Sequence, residues 1–177
     1  MNLPRRLLVR GVLPLAVAAL AACAATVPTA PPVSRPTLTP ATIVAAVHAA
    51  GDQEKSVIAV KPLADPGIAA WQATAEKDVH TGKYDAAAVQ LDQALGRSPD
   101  SPELLQDRAE VAIWQHDYPL AEKLAQRSWS LGPKLGPLCA RNWETIAQLR
   151  KSAGDDTGVA TAEKWVAKCH VQGVNRF

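Results

Sequence analysis

The chain has 177 residues, 47% of them hydrophobic and 20% charged, which is enough apolar material for one modest packed domain. Its formal charge is +2, but Arg5, Arg6 and Arg10 all precede the first acidic residue, Asp52, so the chain beyond residue 22 carries −1. No stripe of Lys and Arg remains there, which argues against a nucleic-acid partner.

Taken in chain order, the basic head is followed by a short apolar stretch from Val12 to Ala19 and then by Leu20-Ala21-Ala22-Cys23. This is the order of a secretory signal, with charged, apolar and small-residue regions in turn. The apolar part is too short for a stable membrane span. A cysteine directly after Leu-Ala-Ala resembles the lipobox of bacterial lipoproteins. The resemblance implies removal of residues 1–22, acylation of the Cys23 thiol and of the new amino terminus, and anchoring by several chains such as palmitate. At about 0.8 kcal/mol per buried methylene such anchoring is stable where a single chain is marginal. In Gram-negative lipoproteins Ala at the next position, here Ala24, is compatible with transfer to the outer membrane, facing the periplasm. With Cys23 lipidated, Cys139 and Cys169 are left as a pair in an oxidising compartment, and a disulfide is their expected state.

Residues 23–41 hold Pro28, Pro31, Pro32, Pro36 and Pro40 among Thr and Ala with almost no charge, the composition of an extended, semi-rigid tether. Residues 42–67 are harder to assign. Thr42 to Ala50 has the makings of a short Ala/Val-rich helix stopped by Gly51, and Ser56 to Val60 is β-prone, but neither is long enough to define an element. Pro62 and Asp65-Pro66-Gly67 then punctuate the chain, with Asp65 suited to cap a helix and Pro66 to its first position.

From residue 68 the sequence repeats. Trp71, Ala75, Gly82-Lys83-Tyr84, Ala87, Leu91, Ala94 and Pro99 recur 34 residues later as Leu105, Ala109, His116-Asp117-Tyr118, Ala121, Ala125, Ser128 and Pro133. The first helix of each unit needs a large apolar residue one turn before a small one, so that a neighbour can approach. Gly82 permits a left-handed turn, Tyr84 or Tyr118 fills the corner, and Pro99 or Pro133 ends the unit. Pro119 falls in the first turn of a helix, where no amide bond is lost. A third unit is degraded: Trp143, Ile146, Ala147 and Gly154 match at a spacing of 38, so about one helical turn is inserted near Gly132 to Pro137. Its closing helix is expected from about Thr157 to His170, with Ala162, Trp165 and Val166 on one side.

Period and residue types resemble the tetratricopeptide repeat over roughly Ile68 to Cys169. The resemblance implies an all-α helix–turn–helix solenoid over 68–177, with two regular repeats and a degenerate third. Asp78 and Arg108 break the family pattern on the first helices of repeats 1 and 2, and a pair between them across the repeat boundary is expected. In such arrays the first helices line a concave groove that binds a protein or peptide. Here the groove positions are Gln72, Glu76 and His80 in repeat 1, Gln106, Glu110 and Trp114 in repeat 2, and Glu144 and Gln148 in the third. Each set is spaced by four and stacks as one stripe. Trp114 is either inter-repeat packing or a binding anchor; Trp71, Trp143 and Trp165 read as core.

No cofactor or catalytic motif is found: His48, His80, His116 and His170 are scattered, with no zinc-protease pair, nucleophile elbow or phosphate loop. The leading reading is a non-catalytic, membrane-anchored periplasmic adaptor that binds a protein or peptide of the cell envelope, in cell-wall enzyme regulation or in pilus or secretin assembly. The competing reading is a metal-binding protein or enzyme using Cys139, Cys169 and His170, which supply three potential zinc ligands without an evident fourth.

Overall fold

The computed structural model describes residues 38–54 and 65–170; the signal, Cys23, most of the tether and the β-prone stretch at Ser56 to Val60 lie outside them. The described residues form seven α-helices: α1 (Pro40–Asp52), α2 (Pro66–His80), α3 (Tyr84–Arg97), α4 (Pro102–Trp114), α5 (Tyr118–Leu131), α6 (Pro137–Ala153) and α7 (Asp156–Lys168). None of them is long and apolar enough to cross a membrane. The pairs α2/α3, α4/α5 and α6/α7 are antiparallel hairpins stacked in chain order, as the period of 34 predicts.

Local chemistry sets the helix starts. Asp65, Ser101, Asp117 and Asp155 each accept a backbone N–H in the first turn of α2, α4, α5 and α7. Proline stands at the start of α2, α4, α5 and α6, where its missing N–H costs nothing. The turn inside each hairpin needs a left-handed residue. Gly82 (φ 74°), His116 (φ 60°) and Gly154 (φ 75°) occupy it in repeats 1, 2 and 3. The insertion before the third unit is helical: α6 has 17 residues where α4 has 13.

The central helix is α4, which buries nine residues, among them Leu104, Leu105 and Ile113, between its neighbours. Small residues bring the partners close: Ala87, Ala94, Ala121 and Ala125 are wholly buried on α3 and α5. The Ser128 hydroxyl donates to the Pro102 carbonyl at 2.7 Å, tying α5 to the start of α4.

Sequence reasoning left residues 42–67 outside the domain, and the structure moves its boundary. The helix α1 starts at Pro40, capped by a reciprocal pair of hydrogen bonds between Thr39 and Thr42, and it packs on α6 and α4. Its stripe of Ile43, Val44, Val47 and Gly51 is buried. Full burial of Ile43 and Val47 contributes roughly 1.5–3 kcal/mol each. Ile43 joins a core cluster with Ile113 and Leu149, while Gly51 abuts Arg141, so α1 runs opposite to α6. A Cβ at Gly51 would come within 2.9 Å of the Arg141 side chain, so only glycine permits this approach.

A second expectation is also corrected. Arg108 does not pair with Asp78. Its Nε donates to Asp92 on α3 at 2.9 Å and its Nη1 to Gln115 at 3.3 Å, and Gln115 in turn donates to Asp85. Two positions from Gln106 and two from Glu110, Arg108 lies on the opposite side of α4, the side that meets α3 rather than α2. Asp78 instead uses its carbonyl to close the hairpin turn, accepting from Lys83 N at 2.8 Å.

The last of the described hairpins is closed covalently. Cys139 and Cys169 form a disulfide with their Cα atoms 5.5 Å apart, and Gly136 N donates to the Cys169 carbonyl at 2.8 Å. The bridge spans 30 residues. In the chain-entropy account a loop of that length stabilises the fold by about 3 to 4 kcal/mol. Reduction is therefore expected to lower the melting temperature and to expose α7 to hydrogen exchange before α2 to α5. Replacement of His116 by Gly should act in the other direction. It relieves a left-handed cost of about 1–2 kcal/mol and adds about 0.4–1 kcal/mol of unfolded-chain freedom, so thermal melts should show a net gain of up to about 1.6 kcal/mol.

Candidate functional site

Between α1 and α2, floored by α4, lies a slot of about 520 Å³. Val44 and His48 form its α1 wall, Gln72, Ala73, Glu76, Val79 and His80 its α2 wall, and Asp107, Glu110, Val111 and Trp114 its floor, with Arg141 from α6 at the inner end. Of the eight expected groove residues, Gln72, Glu76, His80, Glu110 and Trp114 converge here. The other three do not. Gln106 is fully buried, its amide donating to Glu110 and to Thr145 of α6 at 2.9 Å each. Glu144 and Gln148 hydrogen-bond to one another at 2.6 Å and line no part of the slot. The continuous groove expected over three first helices is thus reduced to one slot, because α1 packs on α4 and α6.

The electrostatic centre of this region is Glu110, whose side chain is only 9% exposed. Its Oε2 meets His48 Nε2 at 2.7 Å, and its Oε1 accepts from Arg141 Nη2 at 2.7 Å and Nε at 3.1 Å. The same guanidinium donates to Asp107 Oδ1 at 3.1 Å, and Gln72 donates to Asp107 Oδ2 at 3.2 Å. Burial alone would raise the Glu110 carboxyl, but the His48 hydrogen bond and Arg141 outweigh it and hold the group below its ordinary value. For Asp107 the balance falls the other way: burial raises it and Arg141 offsets this only in part. His48 is raised, chiefly by its hydrogen bond to Glu110.

Sequence reasoning missed His48, Asp107 and Arg141, each recruited by long-range packing. The i, i+3 spacing of Asp107 and Glu110 was a readable sign that both share one side of α4.

Trp114 serves two purposes. One contact is a parallel stack on Tyr84 at 5.1 Å, and the residue also packs against the cluster of Ile43 and Ile113. Being only half-buried, it still contributes to the slot. Trp71, Trp143 and Trp165, expected in the core, are likewise half-buried. Trp143 and Trp165 stack at 5.2 Å with Trp129 edge-on to both, beside the disulfide.

The three side chains of the competing metal reading are placed differently. Cys139 and Cys169 are joined to each other, and the His170 ring meets Glu54 at 3.3 Å. Among the described residues, no group of three or more His, Cys, Asp or Glu is positioned to hold a metal ion.

Comparison with known proteins agrees with this geometry. The family model for the tetratricopeptide repeat matches residues 79–137, which span α3, α4 and α5. Among solved structures, the globular C-terminal domain of P. aeruginosa LpoP aligns with a TM-score of 0.56 at 33% sequence identity, over 59% of this chain and 98% of that one. The chain belongs to the tetratricopeptide-repeat family. No curated protein sequence matches it. In this tetratricopeptide domain the family-model match leaves out most of α2 as well as the third unit.

The Glu110 cluster makes stability depend on pH with a definite sign. His48 has a raised folded-state pKa, so its contribution is complete below its unfolded value of about 6.5 and is lost as pH rises through the folded value. Glu110, held low, contributes above its unfolded value and loses this as pH falls. His48→Gln removes the first effect and, because the same hydrogen bond helps to hold Glu110 low, weakens the second. The melting-temperature gap between wild type and this variant should be wider at about pH 5.5 than at about pH 8. An unchanged gap would mean that His48 is not held by Glu110 in solution.

Proposed function

We propose that this protein is a membrane-anchored periplasmic adaptor with no reaction of its own, which binds a protein or peptide of the cell envelope through the slot between α1 and α2. The observation that carries the reading is the convergence of five groove residues from α2 and α4 on one open, mixed polar and apolar slot in a tetratricopeptide domain. Concave sites of this size with a few converging polar groups are where ligands bind.

Anchoring rests on the lipobox-like Leu20-Ala21-Ala22-Cys23 and the proline-rich stretch after it, with the outer membrane as a destination with which Ala24 is compatible. The similarity to a domain described as globular and C-terminal is in keeping with a helical domain carried behind an N-terminal tether. Regulation of a cell-wall enzyme and assembly of a pilus or secretin are the envelope roles that fit such an adaptor.

The test is affinity capture from detergent-solubilised envelopes, comparing the wild-type bait with Ala73→Trp. Ala73 is exposed and lines the slot, so a larger side chain there fills the space without disturbing the core. The variant should keep the wild-type melting temperature and lose its captured partner by at least about tenfold, the scale expected for blocking a central contact. The intact mass of the wild-type bait should show acyl chains on Cys23. Equal capture by both baits would refute the slot as the binding site.

A further inference from the structure

The slot carries an imbalance of charge that its own residues leave in place. Three carboxylates line it, Glu76, Asp107 and Glu110, against a single guanidinium, Arg141. The remaining bases are His48 and His80, and an imidazole is mostly uncharged at neutral pH unless a carboxylate holds its proton. His48 has such a partner in Glu110 at 2.7 Å, while His80 lies 4.0 Å from Glu76 with both side chains largely exposed. Carboxylates thus outnumber the guanidinium in the lining three to one, and Glu76 has only the exposed His80 at 4.0 Å beside it.

The acidic groups are also in sequence along the slot. Gln72 donates to Asp107, and Glu76 stands one turn further along α2 on the same face. Beside this row the walls are apolar: Ala73 and Val79 on α2, Val111 and Trp114 on α4. A space of about 520 Å³ holds side chains of a peptide rather than a folded surface. Its chemistry, an aliphatic and aromatic channel edged by unbalanced carboxylates, is complementary to a long cationic side chain, which buries its stem and keeps its charge at the rim.

We propose that the slot receives a basic side chain of the partner, a lysine or arginine whose stem lies on Val79, Val111 and Trp114 and whose cation meets Glu76 and Asp107. The indole adds cation–π attraction for such a group, and an acidic peptide is repelled. This assignment rests on the adaptor reading above and specifies the chemistry that the adaptor recognises.

Phage-displayed random peptides panned on the intact mature protein in detergent provide the probe. The enriched peptides should carry lysine or arginine beside an apolar residue and should lose binding to Ala73→Trp. Acetylating the lysine of a synthetic copy, or testing it on Glu76→Lys, should raise Kd by at least about tenfold, and added salt should weaken binding. Glu76 is exposed, so its reversal leaves the core intact; Asp107→Asn, checked by its melting curve, is the second variant. Slot-dependent peptides that are acidic or uncharged, or indifferent to acetylation and to Glu76→Lys, overturn the basic-side-chain assignment and leave the adaptor reading standing. Failure to obtain any peptide that responds to Ala73→Trp overturns both.

Discussion

Glu110 is a carboxylate buried in the middle of an all-helical stack, and the arrangement of three helices follows from satisfying it. A buried charge is tolerated only when paired and hydrogen-bonded. Its partners come from α1 (His48), from its own helix (Gln106) and from α6 (Arg141). Removing one member of such a cluster strands the others, and its directional hydrogen bonds add to the apolar contacts of Ile43 and Val47 in fixing the position of α1. Gly51 completes the constraint by letting the α1 backbone come down onto the Arg141 stem. The same carboxylate also edges the slot, so the group that positions α1 helps to set the charge of the candidate site.

Two surfaces of the described solenoid are covered by different means. Along the third hairpin, Trp129, Trp143 and Trp165 pack against one another, and the ammonium groups of Lys134 and Lys168 lie over Trp129 and Trp165 at 4.5 and 4.2 Å. Cations on the faces of half-buried indoles let a large apolar surface border water. The disulfide beneath holds the two ends of the last hairpin together. On the side of the first helices, α1 does the covering for repeats 2 and 3. Only repeat 1 keeps its first helix open towards the slot, which is why Gln72, Glu76 and His80 line it and Glu144 and Gln148 do not.

Within this frame the regularity of the repeats is a matter of backbone geometry. Each hairpin turns through one left-handed residue, and the alanines of α3 and α5 set the spacing of adjacent layers. His116 shows that the geometry outranks local preference. The turn of repeat 2 has the same shape as that of repeat 1, although its residue adopts that conformation at a cost. Arg108 makes a comparable point for charge. On the side of α4 that faces α3 it finds Asp92 and Gln115, and an unusual residue is accommodated within the repeat rather than across its boundary.

The period of 34, the capping residues, the prolines at helix starts and the presence of an inserted turn in the third unit were all legible in the sequence, because each depends on a few neighbouring residues and on helical periodicity. So was the pairing of Cys139 with Cys169, since few thiols were left to choose from. What the sequence could not disclose was α1. Thirteen residues of modest amphipathic character do not announce a docking partner, and the helix gains its stability from α4 and α6, remote in the chain. With α1 hidden, the open groove read from the repeat pattern was too long, and His48, Asp107 and Arg141 had no visible relation to one another. Local sequence determined which helices form and where they turn; tertiary packing decided which helix faces stay open, because a buried carboxylate needs partners that only the folded chain brings together.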